Sequence, residues 1–565
     1  MHARRISLIT LLTATALTST NVTAMAQTAT SDAQIQSIEK QIKLLQQELG
    51  KVRQDLSTRD AQVKAAQRDA AAAKADAAVA AARPIPPMPA PSPALPTGSV
   101  IPNVPTGGVI ANNLGSAATT SGFGTIQLGG VTVTLGGFLE AAGIFRTANE
   151  ASDVNSSFNS IPFSNSPASH LSETRFSARQ SRFSLLAQGA VTPTMLASLY
   201  FEADLLGAAP TANSNESNSY TPRVRQIFAA VDDTSSGFHF LAGQAWSLLT
   251  LTKQGLTART ESMPLTIDAQ YVPGFTWARQ PQFRVTKDFN DGEYWLGASL
   301  ENPQTTFGNT SYPAGSTVTT TLPGNQGGLF FSGTNYSVDA APDLVLKAAT
   351  DQKFGHFEVY GVGRLMRDRV SVVGSGNNNI TPAGGAGAAA LVPIIKGSLE
   401  LQASALAGAG IGRYGSGGLP DATIASNGSV KPIPEVMALV GLIGHPTKVV
   451  DTYAYIGTEQ ESASYFNNGA AHYGYGNPGY INTGCVEELN PAACVGNTSG
   501  ISQLTLGYWW RAYQGSFGTL MSGTQYSYTR RDTFQGVGGA PHAIDNMVFV
   551  SLRYYPFNNI SAMGR

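Results

Sequence analysis

The chain has 565 residues, 42% of them hydrophobic and only 13% charged, with 60 glycines, two cysteines and a formal net charge of −1. Soluble domains carry roughly 25% charged residues and about 7% glycine, so a string of ordinary soluble domains is excluded. No uncharged apolar run of about 18 residues or more follows the N-terminus, which excludes helical membrane spans, and no basic stripe offers a surface to nucleic acid.

A class that needs neither charge nor apolar runs is the outer-membrane β-barrel, whose strands alternate lipid-facing apolar residues with lumen-facing polar ones. Residues 1–26 carry Arg4 and Arg5, an apolar stretch from Ile6 to about Leu17, and Ala24-Met25-Ala26. That pattern predicts a secretory signal peptide, because its apolar part is too short to cross a bilayer. Over 27–82, Ile35, Ile38, Ile42, Leu45, Leu49, Val52 and Leu56 recur in steps of three and four and pass into alanines up to Ala80. This heptad seam predicts an α-helical coiled coil, and isoleucine at both kinds of seam position favours three or four strands over two. If continuous to Ala80 the rod would be about 70 Å long, at ~1.5 Å per residue. Residues 83–130 open with nine prolines between Pro84 and Pro105 and continue with small polar residues; they predict an extended linker.

From Val131 the period becomes two. In the third segment Met195, Ala197, Leu199, Phe201 and Ala203 alternate with Ser198, Tyr200, Glu202 and Asp204, an apolar face against a polar one. The same pattern predicts about 16 antiparallel strands over 131–557, each longer than a sandwich strand and long enough to cross ~25 Å at a tilt. Long Gly-, Asn-, Ser- and Thr-rich connections at 149–172, 208–221, 249–274, 302–341, 372–383, 413–433, 461–499 and 534–542 alternate with tight ones. This alternation fits extracellular loops and periplasmic turns. Trp509, Trp510, Tyr526, Tyr528, Tyr554 and Tyr555 stand near strand ends, where an interfacial belt forms. The fold class expected is therefore an all-β transmembrane barrel with an N-terminal coiled-coil extension.

No motif predicts catalysis. Gly474-Tyr475-Gly476-Asn477-Pro478-Gly479 matches a bare dinucleotide pattern without strand-to-helix context, the histidines are isolated from one another, and no serine sits in a nucleophile elbow. No catalytic, cofactor-binding or metal residue is expected. Cys485 and Cys494, in one long connection of an exported chain, are expected to form a disulfide. The polar feature that stands out is arginine: from Pro84 onward there are 18 Arg and 7 Lys, and many fall inside strands. A lipid-facing charge at mid-bilayer costs about 2–4 kcal/mol, so these side chains must face the lumen or a rim. There they either attract anions or pair with lumen acids and stiffen the wall. Arg182, Arg284, Arg364 and Arg511, with Glu202 and Asp204, are the pore-lining candidates. The connection 249–274 is expected to fold inward as a constriction, offering Lys253, Arg259, Glu261 and Asp268.

Several segments resemble the DcaP-like trimeric porin family: Arg179-Gln180-Ser181-Arg182-Phe183, Phe201-Glu202-Ala203-Asp204, Leu241-Ala242-Gly243-Gln244-Ala245-Trp246-Ser247, Pro273-Gly274 with Arg279-Gln280-Pro281-Gln282-Phe283-Arg284, and Gly410-Ile411-Gly412-Arg413-Tyr414. The resemblance spans roughly 131–557. It implies a homotrimeric outer-membrane porin of a Gram-negative bacterium, its N-terminal extension in the periplasm, passing small organic anions such as dicarboxylates. The partners expected are outer-membrane lipid and small anionic or polar solutes, without cofactor or nucleic acid. The residues after Tyr555-Pro556-Phe557, a tail at 558–565, depart from the family's terminal aromatic. The alternative is a structural tether, in which the barrel is an anchor and the coiled coil engages the cell wall.

Overall fold

The computed structural model describes residues 124–208, 220–323 and 335–557, together with Lys43, Gln46, Gln47 and Gly50, which have helical backbone. The expected signal peptide, the coiled-coil seam, most of the linker and the tail lie outside the described residues.

Sixteen strands form one closed antiparallel barrel. They are β1 (Val131–Arg146), β2 in two segments (Glu173–Ser177 and Arg182–Ala190), β3 (Met195–Asp204), β4 (Arg223–Asp233), β5 (Phe238–Trp246) and β6 (Arg279–Phe289). There follow β7 (Tyr294–Glu301), β8 (Asp343–Gln352), β9 (Gly355–Val372), β10 (Ser375–Ile395) and β11 (Leu399–Ala409). The last five are β12 (Pro434–Thr447), β13 (Val450–Glu461), β14 (Thr498–Gly515), β15 (Gly518–Thr533) and β16 (His542–Tyr555). Each pairs with the next, and β16 pairs back onto β1 through Leu139↔Tyr554 to Arg146↔Met547, so no edge is left open. Ahead of β1, Thr125–Leu128, expected in the linker, pairs as a short strand with Val131–Thr134.

The alternation is inverted relative to a soluble protein. In β3, Leu199 is 59% exposed while Glu202 is 7% and Asp204 2% exposed; in β16, Val550 and Leu552 are exposed while Ser551 and Arg553 are buried. Polar groups inside and aliphatic groups outside are the arrangement that a hydrocarbon solvent selects. The aromatic residues near strand ends divide by the same rule. Trp510 and Tyr526 are exposed on the outer face, whereas Trp509 and Tyr555 are buried within the barrel and do not join a belt.

One connection departs from expectation. Residues 372–383, read as a long loop, continue the sheet: β9 and β10 stay paired from His356↔Leu391 to Val372↔Ser375 and turn at Val373-Gly374. Backbone pairing needs no apolar alternation where both faces meet water, so an Asn-, Ser- and Gly-rich strand carries no pattern to betray it. The hairpin makes β9 and β10 18 and 21 residues long, against 8 to 11 for β3 to β7. The other long connections stand where expected. In that at 462–497, Cys485 and Cys494 are joined by a disulfide.

Candidate functional site: a constricted lumen

The connection from β5 to β6, residues 247–278, folds into the barrel and crosses it. It is fastened at three stations. Near its start, Leu248 N donates to Glu301 (2.9 Å), Lys347 Nζ to Thr250 O (2.8 Å), Thr252 N to Glu358 (2.9 Å) and Gly255 N to Asp351 (2.9 Å), tying it to β7, β8 and β9. In mid-course Gln402 Nε2 donates to Ser262 O (2.8 Å), Trp509 Nε1 to Leu265 O (2.8 Å), and Ile267 N to Gln525 Oε1 (2.6 Å), on the far wall. At its end Gly274 N donates to Glu459 Oε1 (2.7 Å). The apolar residues between these stations, Leu248, Leu249, Leu256, Ile267, Val272 and Phe275, are almost fully buried. Burial of that many side chains, each contributing about 1.5–3 kcal/mol, holds the segment as part of the interior.

Between this segment and the wall formed by β1 to β5 lies a cavity of ≈ 130 Å³. Five of the expected residues line it: Arg182 and Glu202 from the wall, and Lys253, Arg259 and Glu261 from the inward segment. They share the site because Arg182 and Glu202 lie on the inward rows of adjacent strands. Trp246, Tyr200, Phe138, Met263 and Tyr555 supply its apolar lining.

Glu202 is the hub of the wall. It accepts from Arg225 Nε (2.6 Å) and Tyr200 OH (3.1 Å) and stands 3.7 Å from Arg182 Nη1. Asp204, one inward position along, takes a two-pronged contact from Arg223 (2.9 and 2.7 Å) and a third bond from Arg225 Nη1 (3.1 Å). Charge-assisted bonds of this kind compensate the cost of burying carboxylates. Arg279, beside them, stacks on Trp246 with its Cζ 4.8 Å from the ring centroid. Arg225 and Arg279 were legible as strand arginines, and Arg279 and Trp246 stand in segments that carry the family resemblance, but none of them was singled out as lining the passage.

The basic groups are in excess. Arg182, Arg225, Arg279, Lys253 and Arg259 gather around Glu202 and Glu261, while Asp204 is occupied by Arg223 and Arg225. Several polar atoms here are buried without a hydrogen-bond partner among the described residues: Arg182 Nε, Arg279 Nη1, Gln226 Oε1 and Glu261 Oε1. In the inward segment, burial raises the Glu261 carboxyl above its ordinary range, opposed by Arg284 and Arg259, and lowers the Lys253 amine. Arg259 and Tyr271 have φ of +71° and +69°, a left-handed conformation that costs a non-glycine residue about 1–2 kcal/mol and collects at functional sites.

The remaining candidates are placed elsewhere. Arg284 donates to Gln282 Oε1 (3.0 Å) and Trp246 O, and borders a neighbouring cavity shared with Arg259. Asp268, on the far side of the inward segment, accepts from Ser156 N (3.1 Å) and Gln270 N (2.9 Å) and braces the first long connection. Arg364 is engaged by Asp421 (2.7 Å) and Asp343 (3.2 Å) and donates to Gln304 O (2.6 Å), fastening two long connections to β9. Arg511 pairs with Asp451, which also contacts His445 (2.6 Å), beside the tight turn between β12 and β13. For Arg364 and Arg511 the wall-stiffening arrangement holds: each is consumed by acids.

No family model matches the chain, and no curated protein matches it. Solved structures do. The outer membrane channel DcaP of Acinetobacter baumannii superposes with a TM-score of 0.54 at 15% identity, over 77% of this chain and 99% of that one. The anion-selective porin from Comamonas acidovorans matches with a TM-score of 0.42 at 12% identity, over 75% and 99%. OmpT of Vibrio cholerae matches with 0.41 at 11%, over 76% and 99%. The chain thus shares the β-barrel fold of DcaP, an outer membrane channel.

Proposed function

We propose that the protein is an outer-membrane porin through which small hydrophilic solutes diffuse passively, with a preference for small organic anions such as dicarboxylates. The observation that carries this reading is the excess of guanidinium and ammonium groups over carboxylates at the narrow passage between the inward segment and β1 to β5. Opposed but unequal charges across a constriction raise the local concentration of anions and orient them, and the low-dielectric surroundings amplify the effect. Arg182, Lys253 and Arg259, which line the cavity, present their charges to a passing carboxylate. The sequence resemblance supports a homotrimer as the working assembly.

The test is single-channel recording of the purified full chain in planar bilayers under a KCl gradient. Stepwise conductance with a reversal potential on the chloride side is expected. Absence of conductance would sink the pore, and a potassium-side reversal would sink its preference. The tether alternative rests on the heptad seam of residues 27–82, which lies outside the described residues, and no feature of the barrel favours it.

A further inference from the structure

The outer face of the barrel is nearly bare of charge. Among the described strand residues, the outward-pointing charges are Asp233 and Lys287 beside tight turns, and Arg367, Arg369, Arg530 and Asp532 towards the long connections. Arg530 and Asp532 neutralise one another at 2.8 Å. Arg367 and Arg369 differ. They are outward because their strand neighbours Met366 and Asp368 are buried inside at 0% and 1% exposure. Neither has an ion-pair partner among the described residues: Arg367 Nε donates to Val338 O (2.7 Å) and Arg369 Nη1 to Asn378 Oδ1 (3.0 Å). Two unneutralised guanidiniums thus stand side by side on the lipid-facing row of β9.

Their height is informative. The same row descends through Leu365, Gly363, Gly361 and Val359 to Phe357 near the tight turn. At ~3.3 Å per residue and a tilt near 45°, the climb from Phe357 to Arg367 is about 23 Å, close to the ~25 Å apolar band of such barrels. Arg367 therefore stands at the outer edge of the hydrocarbon, and Arg369 one step beyond it.

We propose that Arg367 and Arg369 bind the phosphate of an outer-leaflet glycolipid, whose acyl chains lie against Leu365 and Val359. This rests on the reading of the barrel as an outer-membrane protein. A guanidinium presents a planar fork that matches phosphate oxygens, and two such forks on adjacent outward positions engage one headgroup from one side. A lipid is the occupant, and not a soluble anion, because the pair continues an apolar row that only acyl chains can cover.

The full chain in detergent, titrated with bisphosphorylated lipid A and followed by native mass spectrometry, tests this. Wild type should retain lipid A, and R367Q/R369Q should bind it at least tenfold more weakly. Conductance and ion preference of the variant should be unchanged, since neither side chain lines the lumen, and this also shows that it is folded. Equal retention by the variant overturns the proposal, as does complete displacement of lipid A by an equal concentration of inorganic phosphate. Failure of the porin reading would show separately, as a wild-type protein that does not conduct.

Discussion

The Arg279 guanidinium lies over the indole of Trp246, 4.8 Å from Cζ to the ring centroid, and its Nη1 is buried with no hydrogen-bond partner among the described residues. A neutral aromatic face holds the cation in place without cancelling its charge, as a carboxylate would. On the proposed reading its charge adds to those of Arg182, Lys253 and Arg259, which line the passage. Replacing it, R279Q, should lower the chloride-to-potassium permeability ratio by roughly four- to sixfold, since one charge at ~8 Å in a water-like dielectric shifts each ion about twofold and in opposite senses. Reversal potentials under a salt gradient measure this directly. R364Q, which removes a charge already taken up by Asp421 and Asp343, should change the ratio far less.

On the proposed anion preference, Glu261 supplies a dependence on pH. Burial raises its carboxyl above the ordinary 4.5, so on acidification it takes up a proton at a higher pH than an exposed glutamate would. Neutralising the inward segment's acid leaves the basic groups less opposed, and anion preference should rise as pH falls through that titration. Lys253, its amine lowered by burial, acts in the same direction, losing its charge at a lower pH than an exposed lysine as pH rises. E261Q should show throughout the preference that wild type reaches only once Glu261 is protonated, and its profile should be flat over the range in which that of wild type rises. A profile as steep as that of wild type would remove Glu261 from the mechanism.

What could be read from residues alone divides along physical lines. The strands were legible because each crosses hydrocarbon on one side and water on the other, so Leu199 and Glu202 had to fall on opposite faces. The β9–β10 hairpin was not, because a stretch such as Asn377-Asn378-Asn379 meets water on both faces and nothing selects its pattern. Arg182 and Glu202 were legible as strand charges that could not face lipid, and Lys253, Arg259 and Glu261 as charges of a connection expected to fold inward. That Arg364 and Arg511 are consumed was not, since Asp421 lies 57 positions from Arg364 and reaches it only through the folding of a long connection. The Trp246–Arg279 contact is set by strand pairing across the whole inward segment, a distance over which sequence spacing says nothing.

The first long connection carries a different pH signature. Burial raises the Glu150 carboxyl from 4.5 to about 7, although Arg146 Nε stands 3.7 Å away and Ser157 N donates to it. The folded state thus holds a proton that the unfolded chain releases near 4.5. Stability is not penalised below that value, falls as pH rises from 4.5 to about 7, and is lowest above it, by up to about 3 kcal/mol. E150Q keeps an acceptor for Ser157 N and removes the charge. Its unfolding midpoint should exceed that of wild type at pH 8 and coincide with it at pH 4.

The Cys485–Cys494 bridge closes a short loop in 462–497, none of whose residues lines the passage. Closing nine or ten residues restrains the unfolded segment by about 2–3 kcal/mol on chain-entropy grounds. C485A/C494A should therefore leave conductance unchanged while exposing 462–497 to proteolysis in the intact barrel. Loss of conductance in this variant would mean that this connection also shapes the passage.

Gly274 is the seat of the inward segment. Its φ is +89°, and a Cβ there would meet Ala438 O at 2.1 Å and Thr458 O at 3.0 Å. Both are backbone atoms of β12 and β13 inside the closed sheet, so neither can retreat. An alanine must move the segment instead, and the bond from Gly274 N to Glu459 goes with it. Left-handed backbone at a non-glycine residue adds about 1–2 kcal/mol. The barrel itself should survive, because its hydrogen bonds lie between strands and do not pass through residue 274. G274A is therefore expected to fold, with the same heat-induced shift in gel mobility as wild type, but to conduct more per channel, with larger current noise. Its chloride preference should fall as Lys253 and Arg259 leave the passage. A variant with wild-type conductance and preference would mean that the stations at Glu358 and Gln525 hold the constriction unaided.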